Sequence, residues 1–223
     1  MVDDKGNKIP NKIDINGASV DVKNEDEYEL MDDVDGDFDN VKKLIRLYDT
    51  KHEVYKREVF MHEVMHGIED GMKTGNKLPE ETINIMALDI MNVMTENRVC
   101  IHPETIDDNE KTENVCFFKK NGIVSLQDCT LDVAGANVKV SMVDRKDINY
   151  PVSNSFYVPL KREIRVGIVP ENAEAENIGF FHGLMRSIND IENLGIEESK
   201  INYFAQHIYK TLKENKLCFR KKQ

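Results

Sequence analysis

Apolar residues alternate with polar ones over residues 12–22, where Ile13, Ile15, Val20 and Val22 stand on either side of Gly17. That spacing predicts a strand, a glycine turn and a second strand. Residues 130–140 carry the same pattern around Gly135. Residues 43–48 and 164–169 are short apolar runs and read as further strands. The period then changes. Residues 53 to about 70 read as a helix ended near Gly71, and Pro79 opens a second helix that runs to about Asn97. Its stripe of Ile83, Met86, Ala87, Ile90 and Met94 has the spacing of one helical face. Residues 173–191 and 197–215 repeat this pair of helices.

The order of these elements indicates that the chain is written twice. Residues 12–22 return as 130–140, Phe60-Met-His-Glu-Val-Met-His-Gly-Ile68 as Phe180-Phe-His-Gly-Leu-Met-Arg-Ser-Ile188, and the helix led by Glu80 as the one led by Glu198, all at an offset of about 118 to 120. The expected organisation is a first unit over residues 12–101, a connector over 102–129, and a second unit over 130–219. The connector opens on a polar, acidic linker and carries an Asn-Gly hairpin signal at residues 121–122. The fold class that follows is α+β, with two tandem homologous units, each a small β-sheet packed on two helices.

Composition narrows the partners. The 223 residues carry 41 acidic against 30 basic side chains, a formal charge of -11. An acidic surface lacks the cations that bind phosphates, so neither nucleic acid nor an anionic membrane is expected as a partner. No run approaches the roughly 18 apolar residues of a membrane helix, and Met1 to Gly6 are polar rather than signal-like. Cys100, Cys116, Cys129 and Cys218 are scattered with no CxxC pair. That spacing reads as a reducing cytoplasm, with Cys100 and Cys218 buried as small hydrophobes in apolar settings.

One motif carries chemistry. His62-Glu63-Val64-Met65-His66 is an HExxH sequence inside a predicted helix, where residues four apart share a face. Two imidazoles so placed can meet one zinc ion, and Glu63 is the candidate general base. Two histidines falling by chance on an ordinary helix are the plainer alternative. A third ligand is needed, and Glu80 and Glu81 open the next helix. Comparing the units favours Glu81: Glu80 is retained as Glu198, whereas Glu81 becomes Ser199, just as Glu63 becomes Gly183 and His66 becomes Arg186. Helical phase favours Glu80, which lies on the stripe of Ile83, Ala87 and Ile90; the expected third ligand is Glu81, with Glu80 as the alternative. The second unit keeps His182 alone of the motif and is expected to hold no metal. The acidic run over residues 32–39 fails as an EF-hand, since Lys42 stands where the loop needs a carboxylate, and it reads as a solvated turn.

With these residues, the first unit resembles the small HExxH metallopeptidase-like proteins of phages and mobile elements, distant relatives of the ImmA/IrrE peptidases. The likeness extends over about 70 residues, and its elements are Gly36–Asp39, 44–47, 60–68 and 80–97. It implies a minimal zincin fold and a gluzincin-like zinc site from His62, His66 and a Glu of the second helix. It also implies hydrolysis of a peptide bond in a protein or peptide substrate, in the host cytoplasm if the chain is phage-encoded. The alternative is a non-catalytic protein that engages a host or regulatory protein on a peptidase-derived scaffold. A monomer whose two units imitate a dimer is the expected assembly.

Overall fold

The computed structural model describes residues 9–25, 35–48, 52–72, 77–97, 99–101, 117–120, 123–148 and 154–219. The linker at 102–111, the Asn-Gly pair at 121–122, the start of the acidic run and Met1 to Gly6 lie outside them. Among the described residues no helix is long and apolar enough to cross a membrane.

Among the described residues, two four-stranded sheets and four principal helices make an α+β fold. The first sheet contains β1 (Lys12–Ile15), β2 (Ala18–Glu25), β3 (Gly36–Asp39) and β4 (Leu44–Tyr48), followed by α1 (Glu53–Asp70) and α2 (Glu80–Glu96). A two-stranded hairpin follows, β5 (Phe117–Lys120) paired antiparallel with β6 (Ile123–Leu126). Next come β7 (Cys129–Val133), β8 (Ala136–Asp144), β9 (Ser155–Val158) and β10 (Glu163–Ile168), then α3 (Ala173–Ile191) and α4 (Glu198–Glu214).

The sheets share one topology. Their strand orders are β1-β2-β4-β3 and β7-β8-β10-β9. In each, the outer pairs are antiparallel and the central pair is parallel. Both hairpins turn on two residues with positive φ, Asn16-Gly17 and Ala134-Gly135, the conformation that two-residue turns need to match strand twist. The helix ends match too. Asn97 and Asn215 each return a side-chain amide to the carbonyl four residues back, Val93 and Thr211, satisfying an acceptor the helix leaves open.

Contacts divide the chain into two compact units, Lys8–Met91 and Asn92–Gln223, with the boundary inside α2. In the first, Ile13, Ile15, Val20, Val22, Ile45 and Leu47 of the sheet are buried, as are Phe60, Val64 and Ile68 of α1, which packs on β1, β3 and β4. In the second, α3 packs on β9, β10, β6 and α4, and Phe180, Phe181, Leu184 and Ile188 are buried.

Two expectations are corrected. The acidic segment read as a solvated turn forms, over Gly36–Asp39, an edge strand of the first sheet. Alternation failed to reveal it because the polar residues of this strand find partners: Asp37 accepts from Arg46 Nε at 2.6 Å and from the Tyr48 hydroxyl at 3.2 Å. Cys100 and Cys218 are buried as expected, but they are joined to each other in a disulfide, and Cys129 is disulfide-bonded as well. Sequence spacing did not reveal the pairing because the two partners lie 118 residues apart.

Candidate metal centre

Helix α1 places His62 and His66 one turn apart on one face, and α2 begins where its first residue, Glu80, meets both. The two Nε2 atoms lie 2.9 Å apart. Glu80 Oε1 is 2.9 Å from His62 Nε2, and Oε2 is 3.3 Å from His66 Nε2. Three donors therefore face one point. Around a tetrahedral zinc with bonds of about 2.0 to 2.2 Å, neighbouring donors stand roughly 3.3 to 3.5 Å apart, so the set needs only small outward shifts to fit. Burial first, and then the neighbouring His66, hold the His62 imidazole below its usual range, with Glu80 pulling the other way. That favours the neutral form, the one that binds metals.

Glu81 does not join this set. Glu80 and Glu81 are both exposed on α2, but the shortest ion pairs of both histidines run to Glu80. The phase of the apolar stripe pointed to Glu80; comparison of the two units pointed away from it.

Glu63 sits beside the donors without being the nearest. Its carboxylate can reach within 4.8 Å of both imidazoles, yet its Oε1 is 3.9 Å from His62 Nε2, an ångström farther than that of Glu80. The residue is buried. Burial above all, with Asp37 and Glu80 adding to it, pushes its carboxyl up to about 8, against an opposing hydrogen bond from the Phe38 backbone amide. Strand β3 thus touches Glu63 directly. A Cβ at Gly36 would come within 2.6 Å of Val59 Cγ1 and 3.3 Å of Glu63 Oε1, so the strand approaches this closely only because position 36 has no side chain. Gly36–Phe38, His62, Glu63, His66 and Glu80 line an open cleft of about 270 Å³.

The second unit shows what the same framework does without the motif. His182 Nε2 meets Glu198 Oε1 at 2.8 Å, and Arg186 donates from Nε at 2.7 Å and from Nη2 to Glu198 Oε2. Glu198 thus bridges positions 182 and 186 as Glu80 bridges 62 and 66. A permanent guanidinium charge lies on its second oxygen. His182 is buried, and its Nδ1 pairs with Ser155 Oγ at 3.1 Å. A Cβ at Gly183, the counterpart of Glu63, would stand 2.3 Å from Ile164 Cγ2, so no side chain fits there.

Compared with family models, curated proteins and solved structures, the chain matches none. Its functional reading therefore stands on these residues.

Proposed function

We propose that residues 12–101 form a zinc-dependent peptidase-like unit, with His62, His66 and Glu80 as metal ligands and Glu63 as general base. The observation that carries this reading is the convergence of two imidazole nitrogens and one carboxylate beside a second, buried carboxylate. Zinc in such a set polarises a carbonyl oxygen and brings the pKa of water toward about 7. Glu63, within reach of the same point, takes a proton at its carboxylate and returns it to the leaving amine. Strand β3 is an edge strand of its sheet and lines the cleft, so an extended peptide can be laid along it by main-chain pairing. A protein or peptide is accordingly the proposed substrate.

Zinc content of the purified chain tests the ligand set. His66→Ala and Glu80→Ala are expected to lose zinc by more than the roughly 10- to 100-fold that outer partners are worth, while Glu81→Ala keeps it. Zinc binding lost with Glu81→Ala and kept with Glu80→Ala would reverse the assignment. A wild-type chain that takes up no zinc would remove the proposal.

For residues 130–219 the non-catalytic reading is favoured, because Arg186 occupies the third ligand's carboxylate and Gly183 leaves no place for a base. This unit then serves as scaffold or binding surface. Arg186→His would rebuild the donor set with His182 and Glu198. Calorimetric titration is expected to show a second zinc-binding event in that variant; a titration identical to wild type would mean that more than this arginine closes the site. The cytoplasmic placement rested on unpaired cysteines, and the paired ones weigh toward an oxidising compartment instead.

A further inference from the structure

Glu69 lies on the last turn of α1, three residues beyond His66, and is buried. Its two oxygens face different parts of the site. Oε1 accepts the backbone N–H of Leu78 at 2.5 Å, and Oε2 stands 3.9 Å from His66 Nδ1. Leu78 is two residues ahead of Glu80, so the first contact pins the chain immediately before it delivers the third donor. The second contact is too long for a hydrogen bond and acts as an electrostatic one. It sets a negative charge behind the imidazole whose other nitrogen faces Glu80. His62 differs: its Nδ1 is buried without a hydrogen-bond partner among the described residues.

The second unit separates the two roles. There Asn189 occupies the corresponding place at the end of α3, and its Oδ1 accepts the backbone N–H of Ile196 at 2.7 Å, two residues ahead of Glu198. A neutral amide is therefore enough to pin the segment. The charged form occurs in the unit that has a histidine at position 66, and the neutral form in the unit that has Arg186, where a carboxylate would find no imidazole to serve.

We propose that Glu69 is a positioning residue of the metal centre: it fixes the approach of Glu80 through Leu78, and its charge makes His66 a better ligand. This rests on the zinc reading of the cleft. Carboxylates behind ligating histidines orient the ring, raise its basicity and are worth about 10- to 100-fold in metal affinity.

The test is a zinc titration against a competing chelator, run beside thermal melts of the metal-free chain. Glu69→Gln keeps an acceptor for the Leu78 amide and removes the charge. It should melt close to wild type yet bind zinc about 10- to 100-fold more weakly, a split that a purely structural residue would not give. Glu69→Ala should lose both melting temperature and affinity. Glu69→Asp restores the charge and is expected to bind at least about tenfold more tightly than Glu69→Ala, a comparison that holds even if the Gln variant does not fold. Wild-type affinity in Glu69→Gln, or equal affinity in the Asp and Ala variants, overturns the role of the charge. An unchanged melt in Glu69→Ala overturns the pinning role. A wild-type chain without zinc affinity fails the metal reading itself and is told apart by that.

Discussion

Glu63→Gln is expected to lower peptide hydrolysis by about 10²- to 10⁴-fold, the usual worth of a positioned base, while zinc stays bound. The same substitution should make the metal-free protein more stable at alkaline pH. The carboxyl sits near 4.5 in the unfolded chain and is pushed up to about 8 in the folded one. Between those values the folded state holds a proton that the unfolded state has released, so stability falls as pH rises through this window and levels off above it. A shift of this size corresponds to a loss on the order of 3 to 5 kcal/mol, which glutamine, having no proton to lose, avoids. Melts of the metal-free wild type and variant at pH 5 and pH 9 decide it. The two should diverge with rising pH, and parallel curves would mean that Glu63 is better solvated than its burial indicates. A cation at His62 and His66 would favour the ionised form, so added zinc should shrink the difference. Both effects have one origin: a carboxylate kept dry beside other negative groups is poised as a base and costs folding energy when ionised.

The helices were legible because their apolar periods are long and their ends are marked. Gly71 closes α1, Pro79 precedes α2, and the predicted limits agree with the structure to within a residue or two. The hairpins were legible because a glycine turn between alternating residues has few other readings. Strands β3 and β9 were not, being four residues each, one acidic and neither sharply alternating. Within the site, HExxH named three residues. Local spacing could name the fourth only through helical phase. Comparison of the two halves weighed toward Glu81 because Glu198 stands opposite Glu80, but Glu198 has a partner of its own in Arg186. A residue that recurs at the matching place of the other unit has a partner there, and the partner need not be the same one. Glu69 escaped notice because an acidic residue at a helix end reads as solvated until the fold buries it. The comparison that finds it is with Asn189, whose Ile196 contact the sequence does not display.

Replacing Cys100 and Cys218 together by serine is expected to produce the largest loss of stability in the chain. The bridge joins residues 118 apart, and both lie just beyond the ends of α2 and α4. In the chain-entropy account, a closed loop of this length removes about 5 kcal/mol of freedom from the unfolded state. For a chain of this size that corresponds to a fall in Tm on the order of 10 to 20 °C. Reductant should lower the melt of the wild type and shift its mobility on a non-reducing gel. The double variant isolates this bridge from the one at Cys129, which reductant also opens. The local packing gives the bond a defined place. Val99 and Leu217, each next to a bridged cysteine, return their amides to Met94 and Leu212, and both cysteines are 1% exposed. The cost of serine thus contains a buried hydroxyl as well as a lost crosslink. Alanine at both positions removes the hydroxyl, and the difference between the Ser and Ala pairs measures it. If the Ala pair melts with the wild type, and reductant leaves the melt unchanged after thiol titration has shown both sulfurs free, the cysteines act as small packed hydrophobes. A reducing compartment is then restored as the setting of the protein. A melt that falls with reductant instead places its folding where disulfides form and persist.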